Sequence, residues 1–147
     1  MKDIFNLNHI VPVITPVVVT DNTAQVGAII DRQGFDSLFY AIVTGTLADA
    51  DATFAVTMDH GDKSDLSDAV ACGADDLIGA TSDGKTALQN ASFDFSADGK
   101  CRKLGYRGGK RYTRLTITPS ANTGNAPMAA VAVLGHANVS PTANPPQ

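Results

Sequence analysis

At 147 residues and a formal net charge of −4, the chain is long enough for one hydrophobic core and short for two. All fifteen acidic residues are Asp, Glu is absent, Gly and Thr are frequent, and the 44% apolar share contains no Trp. That composition favours strands and turns over helices, and the acidic balance speaks against a polyanion-binding domain, which normally carries a net basic footprint.

The first apolar segment, residues 9–20, is β-branched and interrupted by Pro12 and Pro16. It suits an edge strand or an extended arm better than a central strand. It is about half the length of a membrane span, and no basic region leading into an apolar run precedes it. The expectation is a soluble, cytosolically made protein with Cys72 and Cys101 as free thiols.

Residues 34–45, GFDSLFYAIVTG, are apolar on both alternating faces: Phe35, Phe39, Ala41 and Val43 on one, Leu38, Tyr40 and Ile42 on the other. This predicts an interior strand. Residues 52–60, ATFAVTMDH, set Phe54, Val56 and Met58 against Thr53, Ala55 and Thr57, the pattern of a half-buried strand. From 61 to 86 the pattern dissolves into an irregular loop, within which Ser64 can cap a short helix reaching Ala71.

Residues 91–106 read as a hairpin turning at Asp98-Gly99, a dipeptide that tolerates positive φ. Strands at 111–120 and 126–137 follow, the last apolar on both faces and so predicted to be central. Seven or eight short strands with turn signals between them predict an all-β antiparallel sandwich, jelly-roll or Ig-like, with a small closed barrel as the alternative. The chain divides into an N-terminal arm or edge strand (1–20), the sandwich (21–137) and a flexible or extended Pro-rich tail (138–147).

Signals for chemistry are weak. His9, His60 and His136 stand in no nucleophile motif. Asp59, Asp62, Asp65 and Asp68 recur every third residue without the offsets or the Glu of an EF-hand loop, which leaves ion binding by 59–68 undecided. Gly108-Gly109-Lys110 fails as a phosphate loop, because Leu104 stands where the first Gly belongs and Arg111 where the hydroxyl belongs. No catalytic residue, cofactor or metal ligand is predicted.

The strongest anomaly is electrostatic. Residues 100–115 hold seven of the eleven Lys and Arg, whereas residues 49–83 hold nine Asp against one Lys. Two such patches dock copies together if they lie apart, and neutralise each other if they lie together. Arg107, Lys110, Arg111 and Arg114 are accordingly predicted at a subunit interface, as are His9, Ile10, Val11 and Val13 of the proline-blunted first strand.

Three segments, DRQGFDSLFYAIVTGTLADADATFAVTMDHGDKSDLSDA (31–69), LGYRGGKRYTRLTIT (104–118) and APMAAVAVLGHA (126–137), in that order and spacing, resemble a family of small β-rich proteins encoded by tailed bacteriophages and prophages near the major capsid gene. The resemblance implies a non-enzymatic virion structural protein, in the first place a head decoration (cement) protein. Such a protein binds the major capsid protein on the outside of the shell, often as a trimer, with no direct contact to nucleic acid or membrane. A head–tail connector or tail protein is the rival within that class. A carbohydrate-binding sandwich is the rival outside it, weakened by the lack of Trp and by only three Tyr.

Overall fold

The structure, a computed structural model, describes residues 3–145. Its strands form where alternation is strongest: β1 (His9–Val19), β4 (Phe35–Thr44), β5 (Thr53–Gly61), β9 (Cys101–Tyr106), β10 (Tyr112–Ser120) and β11 (Ala126–Ala137). Two-residue pieces fill in between them: β2 (Gln25–Val26), β3 (Ile30–Asp31), β6 (Val70–Ala71), β7 (Leu77–Ile78) and β8 (Phe93–Asp94).

They make two antiparallel sheets. One has the order β1-β11-β4-β9-β7; the other runs β2-β10-β5-β6, with β3 also on β10 and β8 also on β5. After β6 each strand lies in the sheet opposite its predecessor, whereas β2 and β3, like β5 and β6, stay in one sheet, and the two sheets pack as a sandwich. Between the sheets lie Tyr40 and Ile42 of β4, Phe54 and Met58 of β5, Leu104 of β9, and Leu115 and Ile117 of β10, all essentially inaccessible to water. Tyr40 Oη and Thr113 Oγ1, 2.7 Å apart, bridge the two sheets through the core and satisfy two groups that burial would otherwise strand.

A crossing between the sheets corrects the predicted hairpin. Phe93–Asp94 pairs with β5 and Cys101–Tyr106 with β4, so the two segments belong to different sheets. A 3-10 turn over Phe95–Ala97 and Gly99 at φ +60° make the crossover instead. The helix predicted after Ser64 is also absent; that stretch is a set of turns in which the Asp65 and Asp68 carboxylates accept backbone N–H groups of their own loop. The one α-helix among the described residues is α1 (Ala87–Ala91), opened by a capping box in which Thr86 and Gln89 each bond the other's backbone N–H.

β1 is an edge strand hydrogen-bonded along its length to β11, with register shifts beside Pro12 and Pro16. The prolines lack the N–H of a regular ladder, and the shifts absorb the mismatch. The tail predicted to be loose returns over the N-terminus as far as it is described: Thr142 N donates to Asn6 O at 3.0 Å, and Thr142 Oγ1 to Asn8 O at 2.6 Å. The ends of the predicted arm and tail, Met1, Lys2, Pro146 and Gln147, lie outside the described residues.

Candidate interaction surfaces

One end of the sandwich brings the later part of the basic stretch, Arg107 to Arg114, against part of the Asp-rich segment. β9 and β10 lie in different sheets, so the loop joining them carries residues 107–111 across that end, against the turns that follow β5 and β6. Arg107 Nε donates to Asp75 O at 2.7 Å, and Lys110 Nζ pairs with Asp62. Arg111 grips Asp31 with two nitrogens at 2.8 and 2.7 Å, and Arg114 lies 3.5 Å from Asp59, directly across the β10–β5 ladder. The four cations predicted at a subunit contact are therefore each engaged with an aspartate of their own chain. Three of these partners, Asp59, Asp62 and Asp75, come from the Asp-rich segment, so the two charge patches meet and partly neutralise each other at this end.

Under these pairs lies a buried polar junction. Lys110 N donates to Tyr106 Oη at 3.1 Å, the same hydroxyl is hydrogen-bonded to His60 Nδ1 at 2.8 Å, and His60 Nε2 lies 3.9 Å from Asp76 Oδ2. The Arg32 guanidinium sits 5.0 Å above the Tyr106 ring while its Nε donates to Lys110 O. Gly108 lies so close to that ring that a Cβ there would fall 2.6 Å from the hydroxyl oxygen. The D-H-G-D and Gly-Gly-Lys-Arg-Tyr segments thus meet in space as the lock that fastens a crossover loop. Burial pushes the Tyr106 hydroxyl above its ordinary pKa and, with the nearby carboxylates, the Cys72 thiol up to about 12, which keeps that thiol protonated at neutral pH.

The other histidines sit apart. His9 stacks on Phe35, and His136 Nδ1 lies 2.8 Å from Ser37 Oγ. That Ser–His pair, 99 residues apart in sequence and joined by the β11–β4 register, is invisible in the sequence. Among the described residues no carboxylate hydrogen-bonds to His136, and no group of three or more His, Cys or Asp is placed to hold a metal ion. No helix among them is long and apolar enough to cross a membrane.

The second surface is the outer face of the five-stranded sheet. Cross-strand register aligns apolar side chains in rows. Ile10, Val133 and Phe39 continue over Gly105 to Ile78; Pro12, Val131 and Ala41 lead to Lys103; Ala129 and Val43 lead to Cys101; Val18 faces Pro127. Ile10, Val18, Phe39, Val43 and Ile78 are exposed. An apolar groove at one corner is walled by Ile4, Phe5, Ile10, Phe39 and Val133, and a shallower one at the far end by Pro16, Val18, Val43 and Pro127. Of the first-strand residues predicted at an interface, Ile10 points out into this face, His9 and Val11 are half-buried, and Val13 is in the core. Phe39, Val43, Val131 and Val133, which complete the face, belong to β4 and β11, the strands predicted to be interior and central, and both lie between two neighbours in the sheet.

Two of the three tyrosines, Tyr40 and Tyr106, are buried, and Tyr112 lies under the Arg111 guanidinium at 4.9 Å. None is left as a bare stacking platform for a sugar.

No family model and no curated protein matches the chain. Among solved structures, it is similar to the CBM22-1–GH10 modules of Clostridium thermocellum endo-1,4-beta-D-xylanase 10B complexed with xylohexaose, at 13% identity and a TM-score of 0.43 over 95% of this chain. The chain spans 28% of that one. The chain is an all-β protein with a two-sheet antiparallel sandwich fold.

Proposed function

We propose that the chain is a structural protein of a tailed-bacteriophage virion, acting as a head decoration protein that binds the outside of the shell built by the major capsid protein. The resemblance of residues 31–137 to phage proteins encoded near the major capsid gene supplies the class. The observation that carries the reading is the apolar face on β1, β11 and β4, which the chain's own segments leave uncovered and which marks the chain as a component of a larger assembly, in a domain where Arg107, Lys110, Arg111 and Arg114 pair with aspartates of the same chain. Such a molecule is built to be covered by protein. A decoration protein can use modest contacts, because an oligomer engaging several shell subunits at once multiplies weak binding into avidity.

The copy number of the chain relative to the major capsid protein in purified virions tests this reading. Abundance comparable to the shell protein supports decoration. A few copies per particle would make the chain a connector or tail component, and absence from the virion would overturn the reading.

A further inference from the structure

We propose that the outer face of the five-stranded sheet is covered by the same face of a second copy of this chain, giving a two-fold dimer of face-packed sandwiches. This goes beyond the virion role and does not need it. It also replaces, for this face, the threefold arrangement that the family resemblance implies.

Extent is the first argument. Three strands of nine or more residues, with β9 and β7 beside them, make an outer face of roughly 600 Å² in projection. That is at the top of the roughly 300–600 Å² range for the largest apolar patch of a soluble monomer and near the about 800 Å² that each partner contributes to a standard interface. Charge is the second. Among the described residues of the outward rows only Lys103 is charged, and it alone of the seven cations in residues 100–115 has no hydrogen-bond or ion-pair partner. A two-fold interface sets a surface against itself, so a charged patch would meet like charge whereas an apolar one is self-complementary. The outer face of the other sheet fails that condition, since it carries Arg114 and Asp59.

The edge supplies the third argument. Pro12 and Pro16, with the register shifts between Pro12 and Val17, keep another strand from adding to β1, so a second copy has to approach face-on. With the two-fold axis in the plane between the sheets and parallel to the strands, β9 of each copy lies over β1 of the other. Both Lys103 side chains then stay at the margin, where their ammonium groups reach water.

Sedimentation of the purified full-length chain, without shells, tests the pairing against the separate variants Val43→Lys and Phe39→Lys, each with its melting curve recorded. The wild type should be a dimer, and each variant should fold but dissociate at least about 100-fold more readily, as expected for a charge forced into an apolar contact. Cys101, at the end of the Val43 row, should be alkylated more slowly as protein concentration rises. A wild type that stays monomeric at roughly 100 µM, where a micromolar contact is saturated, overturns the pairing. So does a dimer that survives both substitutions. A monomeric wild type whose shell binding is lost in Val43→Lys would assign the face to the shell subunit and reject the second copy. Failure of a dimer to bind shells would count against the virion role alone.

Discussion

β5 and β10 turn Thr53, Ala55, Thr57 and Asp59, and Tyr112, Arg114, Thr116 and Thr118, away from the core; β4 and β11 turn out Phe39, Ala41 and Val43, and Pro127, Ala129, Val131 and Val133. The inner faces of the two sheets are alike, a close packing of branched and aromatic side chains. The outer faces are opposites. One is the wet side ordinary for an antiparallel sheet, with Arg114 set across the ladder from Asp59. The other has the composition of an interior without being one. Each sheet was assembled under the same demand from the core, so the core does not explain the difference between their outer faces, and the proposed pairing of two copies does.

Neighbouring residues of β4 offer the sharpest way to break that distinction. Ile42→Ala empties a fully buried site and should cost about 2–5 kcal/mol, which lowers the melting temperature by about 2–4 °C per kcal/mol in a domain of this size. Val43→Ala, one residue on and facing out, should leave the melting temperature of the dissociated chain within about 2 °C of wild type. Thermal melts at low protein concentration check both. If the two variants lose equal stability, the outer face is already packed within the monomer and the contrast between the sheets disappears.

The polar end of the sandwich should respond in the opposite sense, through stability and with no change in association. Tyr106→Phe removes the hydroxyl shared by His60 and Lys110 N, leaving buried polar groups unpartnered at about 1–3 kcal/mol. Chemical denaturation should register that loss while sedimentation stays unchanged. A change in oligomeric state without one in stability would move the docking surface to this end.

The fold class and the long strands were legible because alternation is a local property: residues 52–60 and 126–137 advertise β5 and β11 almost to the residue. The partners of those strands were not legible. Asp98-Gly99 carries the local chemistry of a hairpin, yet the segments it joins enter different sheets, a choice set by long-range pairing with β4 and β5. Both charge patches could be counted in the sequence, but their convergence depends on the β9–β10 crossover. The apolar face was in plain view in residues 34–45 and 126–137. Apolar character on both sides marked these strands as interior, which β4 and β11 are, but does not tell whether the outer face of their sheet is covered. Ser37 and His136 meet through register alone, with no signal in either neighbourhood.

A smaller effect separates the outer faces again. Arg114 and Asp59 are both partly exposed, so a double-mutant cycle with Arg114→Gln and Asp59→Asn should give a coupling of at most about 1 kcal/mol, diminished by salt. Lys103, across the molecule on the apolar face, has no partner among the described residues to couple with. Lys103→Met should therefore leave the melting temperature of the dissociated chain unchanged, and urea melts at low and high salt distinguish the two sites.

The finest test is electrostatic and has a fixed direction in pH. The hydrogen bonds from Arg111, helped by the Gln33 backbone N–H and the Arg111 charge, hold the Asp31 carboxyl below its ordinary pKa of 3.8 against the opposing effect of partial burial. The fold therefore prefers the ionised carboxylate. Its stabilising contribution is complete at any pH above the value in the unfolded chain, near 3.9, and drains away as pH falls through the lower folded value. Wild type should exceed Asp31→Asn in stability by a constant margin from neutral pH down to about 5, with the margin closing below about pH 4. Because the pair is well exposed, that margin should also shrink in high salt. Urea melts of both proteins across this range measure it. A margin that widened on acidification would mean that the folded chain prefers the protonated acid, and the Arg111 grip on Asp31 would have to be abandoned as a fastening of the crossover loop to β3.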